Sequence, residues 1–221
     1  MKAVLCKTLG DPATLSVADI SLRPPRSGEV KISIRAAGIN FPDILMVAGK
    51  YQHKPSLPFV PGFEVAGEII EMGSNNQRFR QGDQVMAHMR TGGYAEECVV
   101  PIEKIRALPK SFDFSQGAGF QVAYSTAYVS LVPRGHLVEG ETLLVHGATG
   151  GVGLAAVQLG RALGAKVIAT VSNAKKIPAA KASGAEHVIL LGSAGFKDEV
   201  KNITSGRGAD VIYDPVGGSI F

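Results

Sequence analysis

Val30, Ile32 and Ile34 alternate with Lys31, Ser33 and Arg35, a period of two that turns one face of a strand to a core and the other to water. Short strands of this kind are predicted near 3–7, 14–20, 64–72, 83–88 and 94–100. Turn-forming clusters separate them: Gly10-Asp11-Pro12, Pro24-Pro25, Gly73-Ser74-Asn75-Asn76, Gly82-Asp83 and Gly92-Gly93. Many short strands and few helices predict a barrel-like or sandwich-like unit over residues 1–122.

After about residue 123 the pattern changes. "ETLLVHG" (141–147) reads as a buried strand. A helix opens at Gly151, has its apolar body over Leu154 to Leu163, and is stopped by Gly164. "AKVIATV" is a second strand and 174–183 a helix, with Pro178 tolerated near its first turn. "EHVILL" is a third strand, Phe196 to Ser205 a helix, and "ADVIYD" a fourth strand. Strands alternating with helices over short connections predict a parallel sheet covered by helices, in a second unit over 123–221.

Composition narrows the class. The 221 residues are 45% hydrophobic and 19% charged, enough for two small domains. The net charge of +4 is spread singly, with Lys175-Lys176 the only adjacent basic pair, so a nucleic-acid groove is not expected. The 2 cysteines, Cys6 and Cys98, have neither metal-type nor redox-type spacing and read as free thiols of a reducing, cytoplasmic compartment. No apolar run approaches the ~18 residues of a membrane span. The N-terminus lacks the apolar run of a signal peptide.

The chemistry concentrates in "HGATGGVG", His146 to Gly153, which lies between a strand and a helix. Aligned to G-x-G-x-x-G, the three slots fall on Ala148, Gly150 and Gly153. Gly150 and Gly151 allow a pyrophosphate close to the backbone. The helix start, with Val152 in its first turn, offers free N–H groups and a positive dipole end. Gly153 permits close helix–sheet contact. A glycine-rich turn in another doubly wound domain is the alternative. An acid at the end of the second strand would hold the 2′-hydroxyl of NAD. The stretch Thr170-Val171-Ser172-Asn173-Ala174-Lys175-Lys176 has none. Ser172 and Asn173 can hydrogen-bond a 2′-phosphate and Lys176 or Lys175 can neutralise it, which predicts NADPH. The alternative for the lysines is a solvated helix face.

The chain also carries "AAGINFPDILMVAGKY" (36–51), "PSLPFVPGFEVAGEI" (55–69), "GDQV" (82–85), "GGYAEE" (92–97), "YSTAY" (124–128), "HGATGGVGLAAVQLGRALGAKVIAT" (146–170) and "GADVIYDPVGG" (208–218). With these motifs it resembles the zinc-independent quinone oxidoreductase, or zeta-crystallin-like, branch of the medium-chain dehydrogenase/reductase family. The resemblance implies an α/β protein with a GroES-like β-barrel catalytic domain, a Rossmann doubly wound domain and an active cleft between them. Zinc-dependent members hold their metal with cysteine, histidine and cysteine. The matching positions here are Asn40, Phe63 and roughly Val122, a set unsuited to zinc. No metal is therefore expected, and the five histidines read as surface or strand-end residues.

Without a Lewis acid the hydride acceptor must already be electrophilic: a quinone, or a conjugated enone, enal or enoyl thioester. The resemblance places Asn40 beside nicotinamide and substrate, Tyr51 at the substrate pocket, Thr126 near the nicotinamide, and Val216 and Gly217 in the loop contacting its amide. A tyrosine hydroxyl, with an ordinary pKa of about 10, is a donor at neutral pH. Each of these also has a plainer reading: Tyr51 a loop aromatic, Asn40 a turn residue before Pro42, Thr126 a packed helix residue. The family's tyrosine after the third strand is absent at Leu190-Leu191-Gly192. The sheet is expected to be incomplete, with four of six strands and no C-terminal segment returning to the β domain. It would leave Val211-Ile212-Tyr213 as an apolar edge. A homodimer is expected of the longer protein. A nucleotide-binding structural or regulatory protein is the non-enzymatic alternative.

Overall fold

The computed structural model describes residues 1–74, 78–192 and 195–220. Asn75 and Asn76, part of one expected turn, lie outside them. The chain divides into two compact units, Met1–Val122 and Ala123–Phe221.

The first unit is antiparallel. Strands β1 (Lys2–Leu5) and β2 (Ser16–Asp19) form a two-stranded sheet. Strands β3 (Glu29–Ala37), β4 (Glu64–Met72), β5 (Gln84–His88), β6 (Glu97–Pro101) and β7 (Ile105–Ala107) form a five-stranded sheet in the order β6-β3-β4-β5-β7. Val30, Ile32, Val65, Ile69, Val85 and Ile105 are fully buried between its neighbours, as the two-residue period predicts. The first two strands are shorter than expected. Residues 12–14 form a 3-10 turn whose cap, Asp11, accepts from the Ala13 N–H, so β2 cannot begin at 14. β7 was not predicted; three residues carry too little alternation to be seen.

Two short helices, α1 (Phe41–Val47) and α2 (Phe114–Ala118), accompany the strands, in line with the few helices expected of this unit. Pro42 sits in the first turn of α1, where its missing N–H costs no helical bond, and Asp43 follows at the third position. Asp113 caps α2 by accepting from Gln116 N at 2.7 Å, while the Gln116 amide oxygen accepts from Asp113 N at 3.0 Å.

The second unit alternates as predicted. Helix α3 (Gln121–Val129), which begins at the end of the first unit, runs into a π-helical turn at 130–134. Then come β8 (Thr142–Val145), α4 (Gly151–Ala162), β9 (Lys166–Val171), α5 (Ile177–Ala182), β10 (His187–Leu190), α6 (Phe196–Ile203) and β11 (Val211–Tyr213). The four strands are parallel in the order β10-β9-β8-β11. The expected helix over 174–183 is split into a 3-10 turn at 174–176 and α5. Proline is free of cost only in a first turn, so the helix restarts at Ile177, just before Pro178. β11 is an edge of the described sheet, and Ile212 is 60% exposed on it. Among the described residues no helix is long and apolar enough to cross a membrane.

Candidate functional site

The chain path makes β8 a switch point: β9 lies on one side of it and β11 on the other. The loops after β8, β9 and β11 leave from the carboxyl ends of parallel strands, where doubly wound sheets take ligands. The first of these is the glycine loop, whose four glycines divide into two kinds. A Cβ on Gly153 would stand 2.2 Å from the Gly147 carbonyl oxygen, and one on Gly147 (φ +60°) would stand 2.8 Å from Val216 Cγ2. The fold itself needs both. A Cβ on Gly150 would meet only the Gly147 oxygen at 3.4 Å, and on Gly151 nothing within 4 Å. Neither has positive φ. The fold leaves these two free to carry side chains, yet they have none. Ala148, in the slot where a glycine was expected, is fully buried, and its N–H donates to Thr170 O at 3.2 Å. The left-handed turn is made one residue earlier, at Gly147.

Ser172, Asn173, Lys175 and Lys176 are all exposed directly after β9. Asn173 caps the short turn that follows, its Oδ1 accepting from Lys175 N at 2.9 Å. Its amide NH2 is the end left to address an anion. After β11, Asp214 Oδ1 accepts from both Val216 N and Gly217 N at 2.9 Å, which lowers its carboxyl pKa. Sequence reasoning did not single out Asp214, although it shapes the loop expected at the nicotinamide. Thr126 is exposed on α3, and its carbonyl accepts from Ser130 Oγ at 2.9 Å.

His146 directly follows β8, a strand-end place as expected, and is buried there, with Nδ1 2.9 Å from Thr170 Oγ1 and its ring edge-on to Phe196 at 5.6 Å. Burial lowers its pKa. It lines a cavity of about 440 Å³ with Leu144, Phe196, Val200 and Ile212.

In the first unit, Asn40 belongs to a buried polar cluster that the sequence did not disclose. Asn40 precedes α1, and its N–H donates to Asp43 Oδ2 at 2.8 Å. The other oxygen of Asp43, itself buried, accepts from Gly62 N at 3.0 Å. The Asn40 side-chain Nδ2 donates to Glu64 Oε1 at 2.9 Å, and Val122 N donates to Glu64 Oε2 at 2.8 Å. Glu64 is 1% exposed at the start of β4. Gly38 makes room for it: a Cβ there would lie 2.7 Å from Glu64 Oε1 and 2.4 Å from Ala118 O. The signal available in the sequence was an acid inside the apolar run "FVPGFEVAG". Tyr51 is half-buried and meets Phe63 edge-to-face at 5.5 Å. Phe63 packs with Cys6, Met46, Val47 and Phe59, and Val122 packs partly against the same cluster.

The three positions aligned with zinc ligands thus gather around Glu64, but they present an amide, a phenyl ring and an isopropyl group. The oxygens of Asp43 and Glu64 are already engaged by N–H donors. This donor set does not fit zinc. Among the described residues no three His, Cys, Asp or Glu side chains are grouped to hold a metal. Cys6 and Cys98 are free and buried, and burial pushes the Cys98 thiol up to about 12, far from a reactive thiolate.

Burial raises the Glu64 carboxyl above its ordinary range, against hydrogen bonds that lower it, with nearby Asp43 raising it further. The folded chain therefore keeps this proton to higher pH than the unfolded chain. Stability from Glu64 is full below the ordinary value of about 4.3 and is lost as pH rises through the raised one. Glu64→Gln, which does not titrate, should gain stability relative to wild type across that window. Urea unfolding of both proteins from pH 4 upward reads this directly; a flat difference would contradict it.

Comparison with known proteins agrees with this architecture. Residues 26–128 match the alcohol dehydrogenase GroES-like domain and residues 151–221 the family described as zinc-binding dehydrogenase. A probable oxidoreductase from Mycobacterium abscessus superposes with a TM-score of 0.91 at 37% identity, covering 98% of this chain and 70% of that one. The chain belongs to the medium-chain dehydrogenase/reductase family. The Escherichia coli quinone oxidoreductase complexed with NADPH gives a TM-score of 0.91 at 33% identity, over 99% of this chain and 67% of that one. A quinone oxidoreductase-like protein 2 homolog from Nematostella vectensis is 42% identical over all of this chain, which spans 60% of that relative's length. The medium-chain fold accounts for both units: an antiparallel GroES-like domain and a Rossmann-type parallel sheet.

Proposed function

We propose that the chain acts as an NADPH-dependent oxidoreductase that delivers a hydride to a quinone without a metal. One observation carries this reading: Gly150 and Gly151 are bare although the fold leaves room for a side chain at each. A pyrophosphate against the backbone explains why. Ser172, the Asn173 amide, Lys175 and Lys176 receive the 2′-phosphate. Likeness to quinone oxidoreductases, one of them complexed with NADPH, supports the cofactor and the reaction class.

When bound, NADPH supplies a hydride to an electron-poor carbon. The chain's own residues do the remainder. The N–H groups opening α4 hold phosphate oxygens. Val216 and Gly217, in a loop tied down by Asp214, border the nicotinamide, with Thr126 near it. Asn40 orients nucleotide and acceptor, and the Tyr51 hydroxyl donates to the oxygen on which negative charge develops. Asn40, Phe63 and Val122 cannot polarise an unactivated carbonyl as zinc would, so the acceptor must be conjugated.

An enone or enoyl thioester meets the same requirement. Turnover of NADPH with a simple quinone, an alkenal and an enoyl thioester tests the assignment. The quinone is expected to give the largest kcat/KM. Preference for an enoyl substrate would move the assignment to that class, and NADPH binding with no acceptor reduced would favour a nucleotide-binding structural role.

A further inference from the structure

The environment of Asn40 contains more than a cofactor contact requires. Its backbone N–H is held by one buried carboxylate, Asp43, and its side chain by another, Glu64. Asp43 already does what the local fold needs. It anchors the start of α1 and, through Gly62 N, the segment leading into β4. Glu64 ties down the start of α3 by accepting from Val122 N, and with its other oxygen it also holds the Asn40 side chain. It lies in an apolar strand, under a glycine whose missing side chain makes space for it, at the cost of burying a carboxylate.

We infer that Glu64 is a positioning residue that sets the polarity of the Asn40 amide. A primary amide is nearly symmetric in shape, so packing alone does not decide which end is oxygen. At pH above its raised carboxyl pKa Glu64 is ionised and accepts only. Glu64 Oε2 is taken by Val122 N at 2.8 Å and Oε1 faces Asn40 at 2.9 Å, so the amide must turn its nitrogen toward Oε1. Oδ1 is then the opposite end, on the side of the Asp43 N–H in the capping box that opens α1; an amide oxygen has a second lone pair to offer, and the N–H bond to a carboxylate polarises it into a stronger acceptor. Asn40 therefore presents an acceptor, and the ligand group it selects is a hydroxyl donor. A quinone or enone carbonyl offers no such donor, so the hydroxyl belongs to the ribose of the nucleotide. The ligand side of this inference rests on the reductase reading; the amide polarity does not.

Glu64→Gln is the informative variant because it keeps shape and changes polarity. The new amide satisfies Val122 N with its oxygen and points its NH2 at Asn40, which must flip to answer with Oδ1. The end presented to the ligand becomes a donor. A loss of at least tenfold in NADPH affinity is expected if the ribose hydroxyl is the partner. A loss confined to kcat/KM for the acceptor, with NADPH affinity unchanged, would overturn the ribose assignment. In an Asn40→Ala background the same change should cost less than twofold. An equal loss in both backgrounds would make Glu64 merely structural and overturn the inference.

A second measurement needs neither activity nor the variant. In the wild-type chain, one proton of the Asn40 side-chain NH2 should exchange slowly with solvent and resonate downfield of ordinary asparagine amides. Two fast-exchanging, unshifted protons would refute the clamp even if the chain reduces quinones. A clamped amide in a chain that reduces nothing would instead sink the reductase reading and leave this one standing.

Discussion

Gly151→Ala is expected to weaken NADPH binding about a hundredfold while leaving the unfolding midpoint unchanged or slightly higher. The two effects have separate physical origins. A Cβ at Gly151 touches nothing within 4 Å, and the residue begins α4 without positive φ. Alanine there loses less entropy on folding than glycine, a gain of about 0.4–1 kcal/mol. The same methyl occupies the space through which a phosphate reaches the N–H groups of the helix start. A hundredfold loss is about 2.7 kcal/mol, within reach of one or two charge-assisted hydrogen bonds. Gly153→Ala is the control, because its Cβ would lie 2.2 Å from the Gly147 oxygen. That backbone clash forces α4 away from the loop and should cost about 1–3 kcal/mol of stability. Fluorescence titration with NADPH, with thermal unfolding on the same samples, separates the two. If Gly151→Ala binds NADPH as wild type does, no pyrophosphate sits where we place it.

Lys176→Ala is expected to cut the preference for NADPH over NADH about tenfold, with the double Lys175→Ala/Lys176→Ala variant losing more. Both lysines are exposed after β9, and the residues from Thr170 to Lys176 contain no carboxylate to grip a 2′-hydroxyl. A lysine–phosphate contact of this kind contributes about 1.5–3 kcal/mol in a charge-assisted hydrogen bond, less where water screens it. NADH affinity should barely move, since it lacks the 2′-phosphate. The preference should also shrink as salt is added. An unchanged NADPH/NADH ratio in the double variant would return these lysines to the status of a solvated helix face. Ser172 and the Asn173 amide would then have to carry the preference.

The glycine loop was readable from the chain because its requirements are local. A buried strand, two unencumbered glycines and a helix start follow within a dozen residues. The switch from a two-residue period to alternating strands and helices is likewise a nearest-neighbour property, and it separated the two units before any coordinates. Prediction failed where a local signal was too short or competed with another. β7 has three residues, and Pro178 divided a helix that reads as continuous. The strand-end place of His146 is legible, but nothing in its neighbours along the chain reveals the Thr170 hydroxyl or the Phe196 ring.

Glu64 shows the deeper reason. Asn40 and Glu64 are 24 residues apart, and Glu64 and Val122 are 58 apart. Alternation along the chain tells which positions face inward. It does not tell which inward polar atoms will face each other, because that depends on the β3–β4 register and on where the entry to α3 returns to the strand. Two-unit organisation and the unsuitability of Asn40, Phe63 and Val122 for zinc were contained in residue identity and spacing. The amide clamp at Asn40 and the commitment of Asp214 to the Val216–Gly217 loop arose only on packing. Those are properties of distance between parts of the chain remote in sequence, and folding alone sets such distances.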